Sequence, residues 1–545
     1  MSVAISMPGF VIFWVSLCLA SVRGDYYSAT SELEALVDVE VLLVQQIELY
    51  LQKAEKQQEN IKRFLENIEK VPDDLEYLED YFGNPINAFI TIKRLVHDWR
   101  YNVFEPVFDL GDFVAYKENL AKRLESADFK NPTKDDLLGA TRGLWRLQET
   151  YKLPTSQLAN GILTPGDKNE LNVTLSASDC YAIGCYLNEL QQHSYAVDWL
   201  LEAKAKSIRE ASAFPFVSEL SILEQLAPTL NQMGNNKLAH RLNAEILEKD
   251  PNHQMALKDK PIYETQLAWQ RDPRLNVAAA KVDESTKSED LYQRVCRGEL
   301  RQSPRQQRKL RCFYSDRGVA FYRLGPFQIE QLNLDPYVAY FHNVMSDDET
   351  DDLIEHGMGQ VKRSTVGSLG NTTVSEIRTS QNTWLWYEQQ PWLKNLKLRL
   401  EDNTGLGMES AEPLQLVNYG IGGHYEPHYD FVKVEKETTF GWKGNRLLTA
   451  LLYLNEVPLG GATAFPYLKL AVPPVKGSLL VWYNLHRSLD PDFRTKHAGC
   501  PVLMGSKWVC NEWFHEGAQE FRRPCGLMND SKKSISFKPI DVVYK

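Results

Sequence analysis

Between Leu33 and Val71 the apolar residues recur at alternating spacings of three and four: Leu33, Val37, Val44, Ile47, Leu51, Ala54, Ile61, Leu65 and Ile68, interrupted by Glu40 and Gln58. That periodicity predicts a helix with a coiled-coil-like seam of about five heptads. Such a seam suits a partner helix, and it equally suits one amphipathic helix packed on its own domain. Helical text continues to about Tyr151 through "GATRGLWRLQETYKL". The stretch "LPTSQLANGILTPGDKNELN" is dense in turn residues and predicts a linker.

Two helical pairs follow. In the second, Ala227, Gly234, Ala239 and Pro251 occupy the small-residue, turn and terminal-proline positions of a tetratricopeptide repeat. In the first, Gly184, Ala196 and Ala203 fit the same template without its proline. The pattern predicts a small helical module whose concave face takes an extended peptide; a plain helical bundle is the alternative. After about Leu334 the period changes. Short β-rich runs, "NRLLTALLYLN", "GGATAFP", "KLAVPP", "GSLLVWYN" and "SKWVCNEWF", are separated by Gly, Pro and Asn. They predict an antiparallel jelly-roll or sandwich, of which the double-stranded β-helix is one form. The fold class expected is therefore multidomain α + β.

Composition narrows the partners. A chain of 545 residues exceeds one core and divides into several domains. A formal net charge of −11 argues against nucleic acid as the general partner. The basic run "RQSPRQQRKLR" lacks interleaved aromatics and reads as a solvated loop. The apolar stretch from about Pro8 to Ala20 is short for a membrane span and is followed by small residues, as in a secretory signal. No later segment has the length of a transmembrane helix. The sequons at Asn172, Asn371 and Asn529 fit a secretory address. Loss of the signal removes Cys18 and leaves seven cysteines, so at least one thiol has no partner within the chain. The terminal "DVVYK" is not a KDEL-type signal.

The chemistry concentrates in "NYGIGGHYEPHYDF" and "RTKHAGCPVLMGSKWVCNEWFHE". Residues at i and i+2 of a strand share a face, so His428 and Asp430 can converge on one point. Taken alone, His-x-Asp also describes the wet face of a surface strand. His497, on a distant β-like run, supplies the third donor that a metal needs. Two His and one carboxylate that leave the opposite face open form the facial triad of non-haem Fe(II) oxygenases; a structural zinc site would use four ligands, commonly with Cys. Lys507 suits the remaining carboxylate of a 2-oxoglutarate cosubstrate, because a buried lysine is costly unless an anion pairs with it.

Those motifs, together with "GNPINAFITIKRL", "LLGATRGLWRLQETYKL", "CRGELRQSPRQQRKLRC", "GGATAFP", "HAGCPVLMGSKW" and "GAQEFRRPC", make the chain resemble the α-subunit of collagen prolyl 4-hydroxylase over nearly its whole mature length. The resemblance implies a signal peptide (1–24), an N-terminal helical dimerisation region (25–165) and a TPR-like peptide-substrate-binding domain (170–265). It further implies a linker with a disulfide loop (266–333), an Fe(II)/2-oxoglutarate dioxygenase domain (334–525) and a tail (526–545). His428, Asp430 and His497 would bind Fe(II), and Lys507 would bind 2-oxoglutarate. Proline-rich or collagen-like peptide, O2 and 2-oxoglutarate would give 4-hydroxyproline, succinate and CO2, with L-ascorbate maintaining the iron. The expected setting is the endoplasmic reticulum lumen, in an α2β2 tetramer with protein disulfide isomerase as β-subunit and α–α contact through the N-terminal helices.

The resemblance also implies disulfides Cys296–Cys312 and Cys500–Cys525. Cys510 departs from the family pattern, and a hairpin turning at Gly505 would set it opposite Cys500 as a rival partner. A second departure lies in the peptide module. "ILEQLAPTLNQMGNN" has no aromatic residue and carries Pro228 inside the helical pattern, while Tyr181, Tyr186, Tyr195 and Trp199 remain in the preceding repeat. A weaker poly-proline surface is expected. The rival functions are a hydroxylase of another protein substrate and a non-catalytic peptide-binding or chaperone subunit. Lys507 opposes the first, since related branches more often use Arg there, and the complete triad opposes the second.

Overall fold

The computed structural model describes residues 26–33, 36–37, 40–41, 43–45, 58–67, 78–105, 132–164, 172–210, 217–271, 291–368, 371–388, 391–432 and 440–526. The signal segment, the tail beyond 526 and most of the seam between Leu33 and Val71 lie outside the described residues. Where the seam is described, Leu33 is buried in this chain's own helical core and Val37 packs against it. Glu40, which interrupts the seam, is buried and accepts a hydrogen bond from Arg94 Nη2 at 2.9 Å. This part of the seam is therefore packed on its own domain.

The helical half contains α1 (Leu78–Gly83), α2 (Pro85–Lys93), a π-helical turn continuing it (Arg94–Phe104) and α3 (Lys134–Tyr151). α3 starts where the sequence provides a capping box: the Thr133 hydroxyl accepts from the Asp136 amide while the Asp136 carboxylate accepts from Thr133. It ends at Lys152 in the left-handed region (φ 54°), with Pro154 just beyond. The expected linker is only partly a linker. Residues Thr155–Ala159 form a short helix after Pro154, and Leu158, Ala159 and Leu163 are buried in the helical core.

Next come α4 (Ala177–Glu189), α5 (His193–Ser207), α6 (Glu219–Gln232), α7 (Asn236–Lys249) and α8 (Gln254–Arg271), each packed on the next. Small residues set the spacing: a Cβ on Gly184 would lie 2.7 Å from Leu200 Cγ. Pro228 sits inside α6 without ending it. Trp199 is fully buried, its indole donating to Gln148 Oε1 of α3 at 3.0 Å, and Tyr186 is also buried. The aromatic surface expected from the sequence is thus reduced to Tyr181 and Tyr195, both partly buried.

The second half, after α9 (Leu291–Cys296), is built on two antiparallel sheets. Their strands are β1 (Cys312–Ser315), β2 (Phe327–Leu334), β3 (Tyr337–His342), β4 (Lys362–Arg363), β5 (Arg378–Thr379), β6 (Gln381–Leu385), β7 (Leu414–Tyr419) and β8 (His424–His428). There follow β9 (Arg446–Tyr453), β10 (Thr463–Phe465), β11 (Leu470–Val472), β12 (Leu479–Tyr483), β13 (His497–Gly499) and β14 (Lys507–His515). The larger sheet has the order β1-β2-β3-β12-β9-β14-β7-β6-β4, and the smaller β11-β10-β13-β8-β5. The sheet thus begins at Cys312, ahead of the boundary expected near 334. β9 reads as an almost unbroken apolar run because both of its faces are covered. Leu448, Ala450 and Leu452 pack in the outer core with Leu396 and Leu400, while Leu451 and Tyr453 join Phe465 and Trp482 between the sheets. Among the described residues no helix is long and apolar enough to cross a membrane. The basic run Arg301–Arg311 is mostly exposed, as expected.

Cysteine pairing differs from the expectation. Cys296, at the end of α9, is bonded to Cys500, with Cα atoms 5.7 Å apart, and Cys312, Cys510 and Cys525 are free thiols. α9 packs against β10, and the Tyr292 hydroxyl donates to Gly499 O at 2.9 Å, which delivers Cys296 to Cys500. Cys510 cannot oppose Cys500 because β14 pairs with β7 and β9, where Cys510 faces Leu416 and Leu452.

The two halves meet at the glycine-rich loop before β8. The amides of Gly420 and Ile421 donate to the carbonyls of Ser28 and Tyr27 at 3.1 and 2.9 Å, and Arg146 Nη1 of α3 donates to Gly422 O at 2.9 Å. Gly422 has φ +56°, and a Cβ there would lie 2.6 Å from the Gly143 carbonyl oxygen. The loop is glycine-rich because α3 lies directly against it.

Candidate active site

β8 and β13 are neighbours, and their register sets His428 directly opposite His497. Asp430 follows two residues after His428, so all three side chains meet where these two inner strands of the smaller sheet pair. One donor atom from each lies within 4.8 Å of the others. Asp430 Oδ1 is 3.7 Å from His428 Nε2, and Oδ2 is 3.4 Å from His497 Nε2. The other ring nitrogens are occupied: His428 Nδ1 is 2.7 Å from Glu426 O, and His497 Nδ1 is 3.0 Å from Thr495 O. Those carbonyls require protonated Nδ1 atoms, which leaves both Nε2 lone pairs aimed at the carboxylate. Two lone pairs and a carboxylate with no proton between them are a donor set for a cation. With three donors the set fits a metal that keeps exchangeable positions, and the residues fit Fe(II).

The electrostatics follow from burial. His428 is held well below its usual range by desolvation and by the neighbouring His497. Burial would raise Asp430, but His497, His428, Arg446 and the Thr449 hydroxyl outweigh it and hold the carboxyl below its usual range. Thr449 Oγ1 donates to Asp430 Oδ2 at 2.6 Å and accepts from Asn484 Nδ2 at 2.8 Å, which locks the carboxylate plane.

The same cavity, about 770 Å³, is lined further in by Lys507, Tyr419 and Thr463. Lys507 opens β14 opposite Tyr419 of β7 and is buried. Its ammonium donates to Gly461 O at 2.6 Å and lies 5.2 and 5.8 Å from the ring centres of Tyr419 and Tyr453. Burial alone pushes it down to about 7. A protonated Lys507 in this setting calls for an anion, which a dicarboxylate reaching past the metal donors would provide.

At the other side of the cavity Arg446 begins β9. Its Nη2 donates to Glu412 Oε2 at 2.8 Å, its Nη1 reaches Asp430 O at 3.4 Å, and its guanidinium lies 4.0 Å above the Trp513 ring. Glu412 is half-buried, yet His515 and Arg446 hold it down at about 2. Arg446 is thus a fixed, paired cation beside the His428–Asp430–His497 cluster.

The structure brings together His428, Asp430 and His497, and it puts Lys507 in their cavity. Sequence reasoning missed Thr449, Arg446, Glu412, Tyr419 and Thr463. A signal existed for two of them, since Thr449 and Arg446 are polar positions in the otherwise apolar "NRLLTALLYLN".

Residues 29–165 match the family described as prolyl 4-hydroxylase alpha-subunit, N-terminal region, and residues 414–515 match the 2OG-Fe(II) oxygenase superfamily, a domain that implies Fe(II) and 2-oxoglutarate. The chain is 33% identical over 535 residues to prolyl 4-hydroxylase subunit alpha-2 of Caenorhabditis elegans, covering 96% of this chain and 97% of the relative. It is 32% identical over 522 residues to prolyl 4-hydroxylase subunit alpha-1 of Homo sapiens, covering 92% and 96%. Among solved structures it is similar to viral collagen prolyl hydroxylase from Paramecium Bursaria Chlorella virus-1 in complex with 2OG. There the identity is 24%, the overlap spans 32% of this chain and 94% of the viral one, and the TM-score is 0.27.

Proposed function

The chain belongs to the prolyl 4-hydroxylase α-subunit family, and on that premise we propose that it hydroxylates peptidyl proline in X-Pro-Gly sequences at C4, consuming O2 and 2-oxoglutarate and releasing succinate and CO2. The observation that carries this reading is the convergence of His428, Asp430 and His497 in one cavity with the buried cation of Lys507. His428, Asp430 and His497 hold iron, and Lys507 holds the far carboxylate of 2-oxoglutarate. Iron(II), when bound, supplies the activation of O2 that oxidises the substrate C–H bond.

This chain's own residues do the rest. The carbonyls of Glu426 and Thr495 fix the imidazole tautomers, and Thr449 and Asn484 fix the Asp430 carboxylate, so the donors are oriented before any ligand arrives. Lys507 orients the dicarboxylate by its far end, with the apolar rings of Tyr419 and Tyr453 excluding water around the ammonium. Arg446, Trp384 and Trp513 line the outer part of the cavity, where flat aromatic faces and a fixed guanidinium suit an extended proline-containing backbone.

The reading extends to parts that rest on family membership. The catalytic sheets form a double-stranded β-helix, α4 to α7 form a TPR-like peptide-binding module, and the N-terminal helices pair two α-subunits through a coiled coil. Ascorbate keeps the iron reduced. The chain works in the endoplasmic reticulum lumen with protein disulfide isomerase as its β-subunit. A direct test is 2-oxoglutarate decarboxylation by the assembled enzyme with Pro-Pro-Gly repeats and with matched peptides in which Ala replaces Pro. Stimulation by the proline peptide alone supports the proposal. Equal turnover with both peptides, or none with either, contradicts it and favours the non-catalytic alternative.

A further inference from the structure

Tyr151 is the last residue of α3, within the stretch matched to the N-terminal region of the family rather than its oxygenase domain. Its hydroxyl nevertheless donates to Pro501 O at 2.6 Å. The same carbonyl accepts from the Gly461 amide at 3.1 Å, and the Gly461 carbonyl in turn accepts from the Lys507 ammonium at 2.6 Å. Three consecutive hydrogen bonds therefore run from the end of α3 to the cation at the inner end of the cavity. The approach is close: Gly460 has φ +79°, and a Cβ there would lie 2.8 Å from the Tyr151 hydroxyl oxygen and 2.5 Å from Pro501 O. α3 itself is held at this end by the left-handed Lys152 cap and by Arg297 Nη1, which donates to Thr150 O at 2.8 Å.

We propose that Tyr151 is a positioning residue for the cosubstrate end of the cavity: through Pro501 and Gly461 it fixes where the Lys507 ammonium sits, so that the N-terminal region tunes 2-oxoglutarate binding. The proposal rests on the assignment of Lys507 to the far carboxylate of 2-oxoglutarate. Lys507 has three N–H donors on a flexible stem, and Gly461 O occupies one of them. Where that carbonyl stands decides the direction of the remaining two. Tyr151 also offers the helical half a route to influence catalysis without touching substrate, cosubstrate or metal.

The test compares the wild-type assembly with Tyr151→Phe, which keeps the buried ring and removes only the hydroxyl, and with Arg297→Gln, which loosens the same helix end without touching Pro501. 2-Oxoglutarate is titrated into the Fe(II)-loaded protein under nitrogen, and binding is read from the charge-transfer absorption of the complex. Loss of one hydrogen bond in the series predicts a dissociation constant about three- to tenfold higher in Tyr151→Phe. The kcat at saturating 2-oxoglutarate and the peptide KM stay unchanged, and Arg297→Gln stays within about twofold of wild type. An unchanged constant in Tyr151→Phe, or an equal rise in Arg297→Gln, overturns the positioning role alone. A wild-type assembly that takes up no 2-oxoglutarate overturns the cosubstrate assignment and this proposal together.

Discussion

Cys296 and Cys500 are joined by a disulfide that staples α9 to the end of β13, three residues beyond His497. This bond crosses 204 residues of sequence and ties the approach to the sheets to the strand that carries His497. Non-reducing digestion followed by mass spectrometry is expected to recover a peptide linking Cys296 to Cys500. Recovery of Cys296–Cys312 and Cys500–Cys525 instead would contradict the pairing described.

Thr449 holds Asp430 from behind, and its own hydroxyl is satisfied by Asn484. Thr449→Val keeps the shape and removes the hydrogen bond. Loss of such an outer partner typically weakens metal binding by about 10- to 100-fold. Competition with a metal chelator measures this directly, and an affinity equal to wild type would show that the carboxylate needs no orienting donor.

Lys507 gives a pH signature. With its ammonium pushed down to about 7, the lysine is neutral above that pH until an anion binds and draws the proton back. 2-Oxoglutarate affinity is expected to fall as pH rises from 7 to 9, approaching tenfold per unit, while in Lys507→Arg it stays flat because the guanidinium remains charged. The stability sign is opposite. Without cosubstrate the unfolded chain binds the extra proton between about 7 and the ordinary 10.5, so unfolding free energy rises with pH through that window, by roughly 1.4 kcal/mol per unit from this group. Lys507→Met is expected to lack that rise, which thermal unfolding of the metal-free protein across pH checks.

The helical module carries a weak aromatic surface, since Trp199 and Tyr186 are buried and α6 contributes none. Lengthening a Pro-Pro-Gly substrate from one to several triplets is therefore expected to lower the peptide KM only a few-fold. A steep fall with length, measured on the full assembly, would mean that other residues of this module bind the extended chain.

The legible part of the molecule was the part written in local spacing. His428 and Asp430 share a face because of strand alternation, and the facial-triad chemistry required a third donor that His497 supplied. The switch from helical periodicity to short β runs marks a helical half and a sheet half, but the first two strands, from Cys312, precede it. What spacing could not convey was tertiary. Cys296 meets Cys500 because α9 lies across the smaller sheet, and no local pattern encodes that crossing. The glycines of "NYGIGGH" signalled a loose loop, yet their role is to admit α3 and the Tyr27–Ser28 backbone at close range. The Leu33–Val71 periodicity suits a partner helix or packing on its own domain equally; at its start Leu33, Val37 and the Glu40–Arg94 pair close it against its own core. Thr449 and Arg446 were visible only as polar exceptions in an apolar strand.

Proline hydroxylation at the His428–Asp430–His497 site is read out by product analysis. The assembled protein is incubated with Fe(II), 2-oxoglutarate, ascorbate, O2 and a Pro-Pro-Gly peptide, alongside His497→Ala, and the peptide and succinate are quantified by mass spectrometry. The result predicted is 4-hydroxyproline formed one for one with succinate by the wild type, and neither product above background with His497→Ala. Succinate without hydroxyproline in the wild type, or hydroxyproline persisting in the variant, would contradict it.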